Sequence, residues 1–246
     1  MLLDAFSTGN SPLHHLDPRV KLLAYLPVII LTALSDDIRQ ASLALAGGVC
    51  LAGIAGFYNR LLLKRLAVVN VFMVFLWLTL PFSVPGEPLW HTGPLALSRA
   101  GVALSLLITI KANAIALYTV SLPGTSSIAS LSHAMLHLRL PEKLVTMFYF
   151  FYRYIGVIAD EYEKMLQMLH SRGFSSKTSM HTVRVYAYFT GMLFIKSYER
   201  SERVYNALLM RGFSGQVPLL AHFNLHKQDM VFAFGMGCFV LIIILL

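Results

Sequence analysis

The amino-acid sequence predicts an all-α membrane protein with about five transmembrane helices and a cytoplasmic segment of one short and two long amphipathic helices. Of the 246 residues, 57% are hydrophobic and only 13% are charged, whereas a soluble domain has about 25% charged residues. A soluble fold of this length would leave roughly a quarter of the chain's surface exposed to water. A sequence this apolar does not have enough polar surface to cover that fraction. Five apolar runs also approach the length of about 20 helical residues that crosses a bilayer.

The five apolar runs divide the chain into three predicted domains. The predicted crossings are residues 20–34, 41–57, 66–84, 101–122 and 230–246. The domains are therefore 1–122 with four crossings, 123–227 in the cytoplasm, and 228–246 with the last crossing. The two cysteines, Cys50 and Cys238, lack the spacing of a zinc site or a disulfide framework and are interpreted as small buried hydrophobes.

Basic residues near the membrane ends predict the orientation. Lysine and arginine are enriched in short cytoplasmic loops, and a cytoplasmic N-terminus puts five of them inside and two outside. The five are Arg19, Lys21, Arg60, Lys64 and Arg65, and the two are Arg39 and Arg99. With five crossings, the C-terminus is then extracytoplasmic.

The segment 123–227 is predicted to contain three amphipathic helices. Eleven of the 20 basic residues fall between 138 and 211, so the segment can meet water. The short helix follows a Ser/Thr cap in 124–127, Pro141 opens the second helix, and the third covers 181–211. Apolar residues of the second helix recur in steps of three and four, which indicates a seam for a partner or the membrane surface. The seam consists of Leu144, Phe148, Phe151, Ile155, Ile158, Tyr162, Met165 and Leu169.

The two long helices end in the same pattern, at an offset of 39 residues. The two copies are Ser171-Arg172-Gly173-Phe174-Ser175 and Met210-Arg211-Gly212-Phe213-Ser214. One interpretation is a well-made helix stop, because glycine enters the left-handed conformation that ends a helix and a basic residue complements the helix dipole. The other is that each arginine binds carboxylates in an acidic groove of a partner. Two equivalent arginines would then need two equivalent grooves.

The chain resembles the transmembrane (T) component of energy-coupling factor (ECF) transporters, closest to the CbiQ branch that serves cobalt uptake. Four stretches carry the resemblance, and together they cover nearly the whole chain. They are Ser11-Pro12-Leu13-His14-His15-Leu16-Asp17-Pro18-Arg19-Val20-Lys21-Leu22, Leu122-Pro123-Gly124-Thr125, Tyr152-Arg153-Tyr154 with Glu161, and the two x-Arg-Gly endings. Many members have alanine where this chain has Ser171 and Met210, a departure that leaves the arginines unchanged.

The resemblance implies a non-catalytic subunit of the cell inner membrane whose coupling helices contact two ABC-type ATPase subunits. The ATPases use the ATP, the chain itself binds no cofactor, and motion passes to a separate substrate-binding membrane subunit, CbiM-like, with or without a small CbiN-like subunit. The implied ATPase-coupling residues are Ser171, Arg172, Gly173, Met210, Arg211 and Gly212, and Arg153 and Glu161 are candidate partner contacts. Cobalt or nickel is favoured as the solute, with vitamin uptake as the alternative.

Remaining polar residues leave alternatives open. Lys111 and Asn113 lie in the middle of the fourth crossing, where charge is costly; they either contact a partner subunit or pair within the bundle. His133 and His137 are four residues apart, but without a third ligand they are interpreted as polar-face residues and no metal site is predicted.

No Gly-x-x-x-x-Gly-Lys motif for ATP occurs, and the alternation of acids with bases argues against nucleic acid. A stand-alone permease and an intramembrane transferase are the less favoured functions.

Overall fold

The computed structural model describes residues 9, 11–56, 60–92, 95–138, 140–213, 215 and 226–246. Within these ranges the chain forms eight α-helices, one 3₁₀ turn and one two-stranded hairpin. The elements are α1 Pro18–Leu34, α2 Ile38–Ile54, α3 Arg60–Ser83, β1 Pro88–Thr92, β2 Leu95–Ser98, α4 Arg99–Ser121, the 3₁₀ turn Pro123–Thr125, α5 Ile128–His137, α6 Glu142–Ser171, α7 Met180–Met210 and α8 Lys227–Leu245. The predicted all-α membrane fold class is confirmed.

The described residues divide into two compact units. The membrane unit comprises those of 2–134 and 222–246, and therefore holds α1 to α4, most of α5, and α8. The amphipathic unit comprises those of 135–221, with α6 and α7. In this division residues 123–134 pack with the apolar helices, whereas the sequence-based domains begin the cytoplasmic segment at 123.

Three helices of the described chain are long and apolar enough to cross a membrane: Leu62–Ser83 in α3, Arg99–Thr125 at α4, and Lys227–Leu245. The helix α2 is apolar but shorter, with 17 residues. The helix α1 also has 17 residues, the lower end of the range that spans a bilayer. Five crossings fit these lengths, and crossing by α1 and α2 stays a prediction.

Close packing of α2 on α4 explains two of the glycines in α2. A Cβ on Gly48 would lie 3.1 Å from the Leu117 Cβ, and one on Gly47 would collide with the Tyr118 hydroxyl. Small residues let helix backbones approach in a membrane, where no hydrophobic force draws helices together. Leu117 and Tyr118 are accordingly buried.

Polar side chains join α3 to α4. The amides of Asn70 and Asn113 exchange hydrogen bonds, with N···O distances of 3.0 and 3.1 Å. The Trp77 Nε1–H donates to Thr109 Oγ1 at 3.0 Å. Asn113 therefore pairs within the bundle, one of the two alternatives that the sequence left open.

The hairpin between α3 and α4 was not predicted from the sequence, which indicated only a loop. The strands β1 and β2 pair antiparallel with a register irregularity between Pro88 and Trp90. With five and four residues, they are too short for alternation of apolar and polar residues to identify a strand.

The seam predicted on α6 is largely exposed. Among its eight members only Met165 is buried, and five are exposed: Leu144, Phe148, Phe151, Ile158 and Tyr162. The other buried residue of α6 is Val145. Part of the seam packs within the amphipathic unit, as in the contact of Tyr162 with Phe189 of α7, but most of its apolar surface stays exposed and is available to a partner or to lipid.

Candidate functional site

Both long helices of the amphipathic unit end in the same hydrogen-bonded motif. After α6, Gly173 has φ 79°, its N–H donates to the His170 carbonyl at 2.9 Å, and the Phe174 N–H donates to the Leu169 carbonyl at 3.3 Å. These two bonds define a Schellman motif, in which the residue with positive φ favours glycine.

The end of α7 repeats this geometry. Gly212 has φ 76°, its N–H donates to the Leu209 carbonyl at 3.0 Å, and the Phe213 N–H donates to the Leu208 carbonyl at 3.0 Å. The glycines of the repeated pattern are thus explained by the helix stop.

The Schellman bonds use only backbone groups and leave the guanidinium groups of the two arginines unused. Arg172 and Arg211 are the C-cap residues, and both are exposed. Neither guanidinium forms an ion pair with a residue that the structure describes. Each motif therefore presents five N–H donors without a carboxylate to receive them, which leaves both arginines open to an acidic partner.

The two helices run antiparallel, so their arginines lie at opposite ends of the amphipathic unit. In the middle, the Glu161 carboxylate accepts a hydrogen bond from Lys196 Nζ at 2.6 Å and lies 3.7 Å from Arg200. Nearby, the rings of Tyr162 and Phe189 meet edge to face at 5.3 Å. The helix α7 has 31 residues, so at about 1.5 Å per residue its ends are roughly 45 Å apart.

The phenylalanine that follows each Arg-Gly pair packs its helix end against the other helix. Phe174, after α6, packs edge to face on Tyr186 of α7 with ring centroids 5.9 Å apart. Phe213, after α7, packs edge to face on Phe150 of α6 at 6.3 Å. The sequence repeat thus appears in space as an approximate two-fold arrangement of two arginine-bearing ends.

A partly exposed ion pair between α6 and α7 perturbs one titratable group. The hydrogen bond from Lys196 lowers the pKa of the Glu161 carboxyl below its ordinary value, and the positive charges of Lys196, Arg200 and Lys164 add to the shift. Contact of Glu161 with a partner stays a prediction, and so does that of Arg153, which is exposed on α6.

The shift at Glu161 predicts a pH dependence of the α6–α7 contact. Because the folded-state pKa is depressed, the stabilisation is complete above the ordinary glutamate pKa of about 4.3 and is lost as pH falls through the lower folded-state value. The difference in thermal stability between the wild type and Glu161→Gln should therefore be constant near neutral pH and shrink in acid. Glu163→Gln, an exposed carboxyl of the same helix, should show no such trend. A difference that keeps its neutral-pH size even below the lowered folded-state pKa would contradict the assignment.

A groove separates the first half of α6 from the second half of α7. It encloses about 610 Å³, and residues such as Phe151 and Ile158 on one side and Val204 and Leu208 on the other line it. The groove and the exposed seam make the surface of this unit apolar as well as basic.

The membrane unit contains a buried polar cluster that the sequence analysis missed. Lys21 is completely buried, and its Nζ donates to Thr125 Oγ1 at 3.1 Å and to Ser126 Oγ at 2.8 Å. Asp229, which is 1% exposed, accepts the Asp17 N–H at 2.8 Å. A clue was present in the sequence, because Lys21 and Thr125 both fall in stretches that carry the family resemblance.

Lys111 has partners within the membrane unit. Its Nζ donates to the Ala33 carbonyl at 3.2 Å and lies 3.9 Å from the exposed Asp36 carboxylate. The lysine thus supplies a donor to one of the last carbonyls of α1, which have no partner within that helix. This favours the interpretation as a bundle contact, and contact with a partner subunit stays a prediction.

The two histidines of α5 differ in exposure. His133 is 4% exposed and His137 is exposed, so the interpretation of both as polar-face residues is wrong for His133, because its side of α5 is packed. Among the described residues, no group of three or more His, Cys, Asp or Glu could hold a metal ion.

A family model described as CbiQ, cobalt transport protein, matches residues 9–219. The match covers most of the chain, including both arginine-bearing helix ends. The chain belongs to the CbiQ cobalt transport protein family. This membership confirms the resemblance drawn from the sequence.

Proteins similar to this CbiQ-family chain are named energy-coupling factor transporter transmembrane protein EcfT. The one from Acidaminococcus fermentans is 25% identical over 223 residues, which is 87% of this chain and 83% of that protein. The one from Listeria innocua is 26% identical over 226 residues, 87% and 85% of the two chains. The one from Leuconostoc gelidum is 25% identical over 228 residues, 88% and 85%.

Proposed function

We propose that this CbiQ-family chain is the non-catalytic transmembrane coupling subunit of an ECF-type importer. Two ABC-type ATPase subunits hydrolyse ATP, and the chain passes their motion to a separate substrate-binding membrane subunit, CbiM-like, with or without a CbiN-like protein. The substrate is Co²⁺ or Ni²⁺, in keeping with the family's description. The observation that carries the proposal is the pair of equivalent, exposed arginine ends on antiparallel helices.

The two arginine-bearing helix ends require two equivalent acidic binding grooves on a partner, here called sockets. A guanidinium fits a carboxylate with two parallel hydrogen bonds, and such charge-assisted pairs are about twice as strong as neutral hydrogen bonds. Because the approximate two-fold arrangement separates Arg172 from Arg211 by tens of ångströms, one small partner cannot reach both. Two like ATPase subunits, identical or homologous, supply one acidic socket each. The neighbouring motif residues form the rest of the surface that enters each socket: Ser171 and Gly173 at one end, Met210 and Gly212 at the other.

Orientation is part of the proposal. In the membrane unit the start of α1 lies beside the turn that follows α4, through Lys21 and Thr125, and beside the start of α8, through Asp17 and Asp229. This supports placing the N-terminus and the exit toward the amphipathic unit on one side of the inner membrane. The excess of basic loop residues makes that side the cytoplasm, and the C-terminus is then extracytoplasmic.

Copurification tests the proposal. When the chain is co-expressed with the ATPases and small membrane proteins encoded beside it, we expect a detergent-stable complex with two ATPase subunits per chain. In liposomes this complex should accumulate radioactive Co²⁺ only when ATP is inside the compartment that holds the ATPases. Excess Ni²⁺ should compete, whereas competition by a vitamin alone would assign a different substrate. Uptake by the chain without ATPases would overturn the coupling function.

A further inference from the structure

Both chain connections between the two units meet the membrane unit at one buried polar cluster. One connection leaves through the turn Pro123–Thr125 and α5, within which the division between the units falls, and the other returns just before α8. The residues that form hydrogen bonds at the turn after α4 and at the start of α8 are called the junction cluster. They are Asp17, Lys21, Thr125, Ser126 and Asp229.

Lys21 binds the outgoing connection. Its ammonium group is completely buried and donates to the hydroxyls of Thr125 and Ser126. The Thr125 hydroxyl itself donates to the Ser121 or Leu122 carbonyl, at 3.0 and 2.9 Å. The first turn of α1 is thereby tied to the end of α4 and to the chain that leaves it.

Asp229 binds the returning connection. One carboxylate oxygen accepts the Asp17 N–H and the other accepts the His226 N–H, both at 2.8 Å. The second bond closes the start of α8, because Asp229 occupies the third helical position and reaches back to the N-cap. The carboxylate of Asp17 caps α1 in turn by accepting the Arg19 N–H at 2.9 Å.

Stability alone is a weak reason to bury these charges. Well-packed apolar residues often stabilise a core as much as buried charged groups do. What the polar groups add is fixed geometry, since hydrogen bonds hold the two connections to α1 in one arrangement. Without them, the turn Pro123–Thr125 and the first turn of α8 would no longer be held to α1 when the amphipathic unit is displaced.

We propose that the junction cluster is a rigid joint, and that Lys21 is its positioning residue. The joint makes a displacement of the amphipathic unit move α1 and α8 instead of being absorbed by bending of the connections. This inference rests on the proposed coupling function. The chemistry at the ATPases does not depend on the joint, so its loss uncouples ATP hydrolysis from transport without stopping hydrolysis.

The test measures Co²⁺ taken up per ATP hydrolysed, with the complete complex in liposomes. Lys21→Met removes the donor, and Thr125→Val with Ser126→Ala removes the acceptors. Coupling free energies between sites commonly correspond to factors of about 5–150, so each variant should lower the ratio at least about fivefold while ATP hydrolysis continues. The matched control is Tyr25→Phe, which removes a 3.1 Å hydrogen bond from α1 to Thr119 of α4 one turn further along and leaves the connections untouched. Its ratio should equal that of the wild type.

Two further comparisons separate a joint from a merely structural contact. The three substitutions combined should be no worse than Lys21→Met alone, because they break the same contact, and Thr125→Ser should keep the wild-type ratio because it keeps the hydroxyl. An unchanged ratio in Lys21→Met or in the acceptor variant overturns the joint, and so does failure of both variants to assemble, which would assign the cluster to folding. If the wild-type complex shows no ATP-driven uptake, the proposed function itself fails.

Discussion

Reversing both exposed arginines, with Arg172→Glu and Arg211→Glu in one chain, is expected to lower ATP-driven uptake by at least about a hundredfold. Breaking one partner of a buried charge pair costs about 2–5 kcal/mol at an interface, and a glutamate would also repel the carboxylates of the socket. The fold should survive because the glycines retain the Schellman bonds, and the guanidinium groups form no ion pair within the described chain. The measurement is uptake by the complex in liposomes, together with the amount of ATPase that copurifies.

The matched control reverses two other exposed charges of the same unit, with Lys177→Glu and Arg184→Glu. The change in net charge is identical, so a general electrostatic effect would appear in both double variants. We expect the control to keep uptake and copurification, and each single arginine variant to lose part of both. Near-normal uptake in the double arginine variant would exclude docking through these two residues.

Replacing the carboxylate in Asp229→Ala is expected to destabilise the membrane unit by at least about 2 kcal/mol. The change leaves the buried Asp17 N–H without its acceptor, which costs about 1–3 kcal/mol, and it also removes the partly buried hydrogen bond from the His226 N–H that closes the start of α8. It also removes a negative charge close to the buried Lys21 ammonium. Thermal unfolding of the purified chain in detergent measures the loss.

Asp229→Asn is the informative companion, because its amide oxygen can still accept one of the two hydrogen bonds. It should lie between the wild type and Asp229→Ala in stability. Met230→Ala, an exposed neighbour on α8, should change the unfolding temperature little. Equal stability of the wild type and Asp229→Ala would show that the cluster does not hold α1 to α8.

Local patterns made much of the fold predictable. Apolar runs predicted both ends of α4 and α8 to within three residues, whereas α3 begins six residues before the predicted crossing. Arg-Gly pairs predicted the ends of α6 and α7, because a helix end depends on its own last turn. The helix α1 begins at Pro18, two residues before the predicted crossing, because Asp17 supplies its N-cap. The same local logic failed for the hairpin, whose strands are too short to show a period.

Contacts between distant residues were not predictable from one sequence. Lys21 and Thr125 are separated by 104 positions, and Asp17 and Asp229 by 212, so no spacing rule connects them. The role of Phe174 and Phe213 also depends on the antiparallel course of α6 and α7. The seam of α6 was correctly read as apolar, but periodicity cannot say which molecule covers it, and within this chain most of it stays exposed.

Cross-linking from the two helix ends tests the central claim most directly. Cys50 and Cys238 are exposed on the apolar helices, so the prediction that both are buried is wrong. Both are first replaced by alanine, and Ser171→Cys and Met210→Cys then place a thiol beside each arginine. With a short thiol-reactive photo-cross-linker, we expect each site to capture an ATPase subunit, and the chain with both sites to capture two. Capture of the substrate-binding subunit alone from both sites, or labelling of both thiols only from the extracytoplasmic side, would contradict the account.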